Sequence, residues 1–232
     1  MDSSINNIPD SKGANAYHRD KSFSKLLEFY SGKDMLSKIE SQFIELGEIV
    51  GNQLEDLALT ADKNSPKLSK RARDGSFTNT IEKHPDFIKL EKYAFERFGL
   101  AAMSHRHGVF GMQQKLPPIV KYGLTFLFVQ SEFGLCCPLS MTDSLTRTLR
   151  KFGDDKIVDK FINQLTSQNL DELFQGAMFM TEQHAGSDVG SIDTYAENID
   201  GQWYLTGDKW FCSNPDLSLI HISEPTRRPL IS

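Results

Sequence analysis

The sequence predicts an α+β fold, predominantly α, in which an all-helical amino-terminal domain is followed by antiparallel strands. Three observations carry the prediction. Apolar residues recur at helical spacing from Lys21 to about residue 172. Met178 to Ser191 then reads as a strand-compatible run ending in a tight turn of small residues. Beyond it, Thr194 to Ile199 and Gln202 to Thr206 alternate around Asp200-Gly201, a dipeptide suited to a two-residue hairpin because both positions tolerate positive φ.

The helical elements follow in order. Phe23, Leu26, Leu27 and Tyr30 form one apolar stripe, Gly32 punctuates, and Met35, Ile39, Phe43, Leu46, Val50, Leu54 and Leu57 continue it. From Thr60 to Lys83 the apolar residues thin out and Lys67, Lys70, Arg71 and Arg73 cluster, which predicts a solvated loop rather than a phosphate patch. His84-Pro85 opens the next helix, with Pro85 at its first position and Phe87, Leu90, Tyr93, Ala94, Phe98 and Ala101 inward. His105 and His107 form a His-x-His pair with no third ligand nearby, so a polar connection is the plainer reading than a metal site. Pro117-Pro118 restarts a helix that Phe133-Gly134 ends; Cys137-Pro138 starts another with Leu145 and Leu149 inward, and Lys156 to Leu165 is the last.

Composition bounds the function. At 39% hydrophobic and 25% charged over 232 residues, the chain has the apolar content of an ordinary soluble globular protein, and its net charge of −5 disfavours a generally basic nucleic-acid binder. The three cysteines, Cys136, Cys137 and Cys212, have no metal-ligand spacing, and the adjacent pair is unsuited to a mutual disulfide, so a reduced, cytoplasmic setting is expected. Met1 to Asp20 is a polar lead-in without the apolar run of a signal peptide or membrane anchor.

The chemistry centres on Met178 to Ser191. Ala185-Gly186-Ser187-Asp188 packs small side chains and a glycine into a turn that leaves backbone N–H groups free. With the Thr181 and Ser187 hydroxyls alongside, those groups suit the oxygen-rich edge of a cofactor or a phosphate. Glycine turns with serine are also common as plain loops.

The exact strings add a resemblance. Thr181-Glu182-x-x-Ala185-Gly186-Ser187-Asp188-x-x-Ser191 resembles the signature of the acyl-CoA dehydrogenase family of flavoproteins, with Phe179 standing where that family usually has Gly, Ala or Cys. Gly207-Asp208-Lys209-Trp210-Phe211-Cys212-Ser213-Asn214 is similar to the family's Gly-x-Lys-x-Trp-Ile-Thr-Asn segment. Cys137-Pro138-Leu139-Ser140-Met141-Thr142 resembles a Cys-Pro-Leu-Thr-Met-Thr block of its alkylation-response, AidB-like branch. The resemblance runs from about Tyr17 to Asp216, weakly before Phe133 and strongly after Phe174.

The resemblance implies FAD as cofactor. Met178, Phe179, Met180 and Thr181 would run beside the flavin, Thr181 bonding its polar edge; Gly186 and Ser187 would meet the pyrophosphate; Phe211, Cys212 and Ser213 would flank the ring, Ser213 near N5; and Asp188 would cap the turn. It further implies oxidation of CH–CH groups of acyl-CoA substrates, a homo-oligomer when complete, and no membrane span. The family's catalytic glutamate belongs to a carboxy-terminal bundle, so no catalytic residue is assigned; Glu132, placed on a helix, and Glu182 read as surface carboxylates.

The implied organisation is an extended lead-in over residues 1–20, the helical domain over 21–172, and the first strands of a truncated flavin-binding β-barrel over 173–216. Leu217 to Arg227 resembles the conceptual translation of a transposase-type sequencing adapter, and Ile231-Ser232 fits its continuation, so residues 217–232 are expected to be a non-native tail. Two functional readings stand open. One is the amino-terminal part of an FAD-dependent acyl-CoA dehydrogenase-like enzyme, inactive alone. The other is an AidB-like flavoprotein whose main role is DNA or partner association, with DNA contacted only through the missing region. A non-functional fragment is the plainest outcome.

Overall fold

The computed structural model of the chain describes residues 11–214, so the adapter-like tail lies outside the described residues. The helices begin where polar side chains cap exposed N–H groups. Asn15 Oδ1 accepts from the Tyr17 and His18 amides to open α1 (Ala16–Arg19), so the end of the expected extended lead-in is a capped helical turn that buries Tyr17 in the core, and Asp20 accepts from Ser22 and Phe23 to open α2 (Lys21–Ser31). Gly32, at φ 81°, turns the chain into α3 (Lys33–Ile49), which runs through a π-helical segment, Val50–Leu54, into α4 (Glu55–Lys63).

The stretch after α4, expected to be a loop, is an antiparallel hairpin of β1 (Lys67–Arg71) and β2 (Phe77–Glu82), paired Lys67 with Glu82, Leu68 with Ile81 and Ser69 with Thr80. The helical domain is therefore interrupted by a two-stranded ribbon. Its turn was legible in Asp74-Gly75-Ser76, where Ser76 Oγ donates to Asp74 Oδ1 at 2.6 Å and Gly75 holds φ 86°. The basic residues that suggested a loop are instead the exposed edges of the ribbon, with the Arg71 guanidinium 4.0 Å from the Phe77 ring centroid.

His84 then caps α5 (Pro85–Glu91), with its side chain accepting from the Asp86 amide and Pro85 in the first turn as predicted, and a second π-helical segment, Lys92–Arg97, continues it. α6 (Pro118–Phe128), α7 (Cys136–Phe152) and α8 (Asp155–Leu165) complete the helical layer. Packing of α3 against α1, α2 and α6 encloses a core in which Phe43, Phe95, Phe98 and Phe128 are fully buried. α2 gives only Leu27 fully to that core; Leu26 and Tyr30, predicted inward, are 54% and 65% exposed.

On α7 the buried face also differs from expectation. Leu145 and Leu149 are half-buried, whereas Thr142, Asp143 and Thr146 are buried. Thr142 and Thr146 each donate to the carbonyl four residues earlier, at 2.7 and 2.8 Å, so their hydroxyls enter the core already satisfied.

After α8, residues 174–181 join neither helix nor ladder among the described residues, so the antiparallel strand expected there is not formed; no neighbouring strand is present to take up its backbone groups. The predicted hairpin is present: β3 (Tyr195–Ile199) pairs antiparallel with β4 (Gln202–Thr206), and Asp200 and Gly201 take φ 52° and 83°. The third strand expected over Lys209 to Ser213 is a turn segment, because Phe211 and Asn214 adopt left-handed backbone, φ 53° and 59°, which a ladder does not accommodate.

Candidate functional site

The 174–181 run reaches its position through α7. The Gly176 amide donates to Thr142 Oγ1 at 2.9 Å, and a Cβ at residue 176 would stand 2.6 Å from the Met141 carbonyl oxygen, so only glycine lets the run press this closely on the helix. Met141 and Thr142 belong to the Cys-Pro-Leu-Ser-Met-Thr block. That block therefore seats the run leading to the turn, a role not visible from its sequence.

Next to Thr142 on α7, Asp143 is buried between the Lys121 ammonium and the His105 imidazole. His105 Nε2 donates to its Oδ1 at 2.8 Å and Lys121 Nζ to its Oδ2 at 2.7 Å, with Arg147 at 3.6 Å. Burial pushes the carboxyl up, but the hydrogen bonds from His105 and Lys121 outweigh it and hold Asp143 at about 2. His105 is thus committed to a carboxylate, and His107 Nδ1 donates to the Gln113 carbonyl at 2.6 Å. The His-x-His pair is split between two structural tasks.

The organising turn is tied by Glu182. Its side chain, 6% exposed, accepts from the Asp193 amide at 2.5 Å, the Thr194 amide at 3.2 Å, Thr194 Oγ1 at 2.5 Å and Lys209 Nζ at 2.5 Å. The hydrogen bond from Lys209, joined by those from Thr194 and Asp193, holds the carboxyl at about 2. The expected surface carboxylate is instead a buried four-way tie. Glu132, likewise read as a surface carboxylate, lies in the connection after α6 rather than on a helix, half-buried, where it accepts from the Leu135 amide at 3.0 Å.

This tie places the site residues read from the sequence. The Trp210 amide donates to the Thr181 carbonyl at 2.8 Å and Lys209 Nζ approaches the Met180 carbonyl at 3.3 Å, which sets the 178–181 run beside the 209–213 turn. Reciprocal backbone bonds between Glu182 and Ala185, 3.0 and 3.1 Å, close the loop that carries Gly186 and Ser187 outward. Alternation along the run exposes Met178 and Met180 and half-buries Phe179 and Thr181. Phe211 is 81% exposed, Cys212 Sγ is satisfied by the Lys209 carbonyl at 3.6 Å, and Ser213 is exposed. Asp188 accepts from Ser191 Oγ at 2.5 Å, and its carbonyl from the Ser191 amide, but its side chain caps no backbone N–H, so in place of the expected cap on the 185–188 turn it ties the 3-10 turn that follows, Val189–Ser191.

A model of the AidB N-terminal domain, from the adaptive response protein AidB, matches residues 6–172. The chain belongs to the AidB N-terminal domain family. Acyl-CoA dehydrogenase family member 11 of Caenorhabditis elegans is 26% identical over 207 residues, covering 87% of this chain and 33% of that protein. The putative acyl-CoA dehydrogenase AidB of Escherichia coli is 27% identical over 190 residues, covering 76% and 34%. The chain thus spans about a third of the length of these relatives. The crystal structure of C. elegans ACDH-11 in complex with C11-CoA shares the fold at a TM-score of 0.74 and 24% identity over 88% of this chain and 34% of that one. The shared fold is mostly helical α+β, and the family match takes in the Cys137 to Thr142 block. No helix among the described residues is long and apolar enough to cross a membrane.

Proposed function

We propose that this chain is the amino-terminal part of an FAD-dependent oxidoreductase that acts on CH–CH groups of acyl-CoA-type substrates. The observation that carries the reading is the convergence of the 178–181 run, the 186–187 turn and the 211–213 segment around the Glu182 tie, within a chain of the AidB family. The C11-CoA bound to the nematode relative supports an acyl thioester as the substrate class.

The residues present fit such a cofactor. Met178, Met180 and Phe211 leave apolar surface outward beside the Thr181 carbonyl, as a planar ring system requires. A Cβ at Gly186 would meet nothing within 4 Å and that residue has no positive φ, so neither the neighbours nor the backbone demand glycine there, whereas a phosphate meeting the backbone would. When bound, FAD supplies hydride acceptance. The chain's own part is to present the Thr181 and Ser187 hydroxyls and the free turn amides as donors, and to hold both flanks of the ring site through Lys209 and Glu182. The base that removes the substrate proton is not assigned to any residue here.

In a longer protein carrying the relatives' remaining length, FAD should copurify as a yellow preparation, and replacing both Thr181 and Ser187 with Ala should lower its FAD content, read by absorbance after denaturation. Unchanged FAD in that double variant would show the cofactor site to lie elsewhere.

A further inference from the structure

A cleft that shares no residue with the Glu182 turn opens where the 105–115 connection meets the ends of α7 and α8. It is an open concavity of about 490 Å³ lined by Arg106, His107, Lys115, Arg150, Asn163 and Glu172, among others. Arg150 Nη2 donates to the His105 carbonyl at 2.5 Å, and Arg106 Nη1 to the Thr166 carbonyl at 2.9 Å. These bonds fix both guanidiniums at the wall without neutralising them, since a carbonyl carries no net charge. Among the described residues, none of Arg106, Lys115 and Arg150 stands within salt-bridge distance of a carboxylate. The carboxylate in the lining, Glu172, accepts from Ser167 Oγ at 3.4 Å and offsets one of three permanent cations. Partial burial pushes the Arg150 guanidinium down from its usual range.

Arg106, Lys115 and Arg150 are exposed, so solvent screens them, but they line one concavity and the two guanidiniums are already oriented by carbonyl bonds, which favours an anion there more than scattered surface lysines would. We propose that this cleft is a binding site for a phosphate group, held by Arg106, Arg150 and Lys115. The Asn163 amide adds a neutral donor, and Glu172 limits the charge the site accepts.

The test is titration of the full 232-residue chain with inorganic phosphate and, separately, with adenosine monophosphate, by calorimetry at constant ionic strength. Saturable one-site binding is expected. Lys115, exposed and outside every hydrogen bond described, is a change the fold tolerates; Lys115→Glu should weaken phosphate binding roughly tenfold or more by reversing a charge at the anion. Glu172→Gln should tighten it, and Lys67→Glu on the distant β1 ribbon should leave it unchanged. Equal affinities for the two ligands assign the site to the free ion, and tighter adenosine monophosphate assigns it to the phosphate of a larger molecule. Absence of saturable binding, unaltered binding in Lys115→Glu, or equal loss in Lys67→Glu would each overturn the proposal, since diffuse attraction responds to net charge rather than to place. Glu172→Gln decides independently of Lys115, because a structural role for either residue does not produce opposite shifts from the two variants.

Discussion

Glu182 and Asp143 set the acid limit of this protein. Both carboxyls are held at about 2 in the folded chain, against ordinary values of 4.5 and 3.8. A depressed carboxylate binds fewer protons folded than unfolded, so its stabilisation is present above the unfolded value and is lost as pH falls through the folded one. Melting temperature should therefore be insensitive to these groups above about pH 4.5 and fall steeply between there and about pH 2. Glu182→Gln should flatten that limb and lower the melting temperature at neutral pH; an unchanged acid slope would mean that the tie through Lys209 and Thr194 is not formed. For Asp143→Asn the cost is larger and of a different kind. Lys121, 4% exposed, would be left buried without its carboxylate, and removing one member of a buried pair costs about 3 kcal/mol or more. Chemical denaturation of this variant, with Lys121→Met restoring part of the loss in the double variant, checks that account.

At the scale of elements, α7 is where the helical layer and the turn are joined. Thr142→Val removes the acceptor of the Gly176 amide and leaves a buried donor unpaired, an expected loss of roughly 1–3 kcal/mol. Hydrogen exchange should show the consequence locally: faster exchange at Gly176 with the α3 amides unchanged. Gly176→Ala should act in the same direction, since the added carbon meets the Met141 carbonyl and the run must lift away from α7. If FAD is held as proposed, both variants of the longer protein should lose cofactor although neither residue touches it. The ribbon of β1 and β2 is an element of another kind. It adds nothing to the fully buried core, so charge changes such as Lys67→Glu should shift stability by no more than about 0.5 kcal/mol.

Over the whole molecule, the helical layer closes a core of its own while the β3–β4 hairpin stays open to solvent, every residue of both strands exposed. Trp203 at 66%, Leu205 at 60% and Phe211 at 81% leave apolar surface of the kind that a neighbouring element covers. A flavin seated on this chain alone would keep a wet face. Each exposed hydrogen bond contributes roughly 0.5–1.5 kcal/mol, against an association cost of at least about 4 kcal/mol. Residues 1–216 should bind FAD weakly or undetectably by fluorescence titration and should not oxidise acyl-CoA. Stoichiometric, tightly held FAD in that chain would count against the placement of the site.

Local patterning was enough to read the helices, the Asp200-Gly201 hairpin and the strings of the organising turn, because caps, prolines, periodicity and positive-φ dipeptides act within a few residues of themselves. What those strings do to one another was decided only in three dimensions. Glu182 reads as a surface carboxylate until Lys209 and Thr194 are brought to it, and Asp143 as one more polar position on α7 until Lys121 and His105 close around it. The turn at 209–213 looked like a strand because its residues favour one, and the Trp210 bond to Thr181 with a left-handed Phe211 overrode that preference. The physical reason is common to all three. Burying a charge or bending a strand is unfavourable locally and becomes stable only when partners distant in sequence satisfy the freed polar groups.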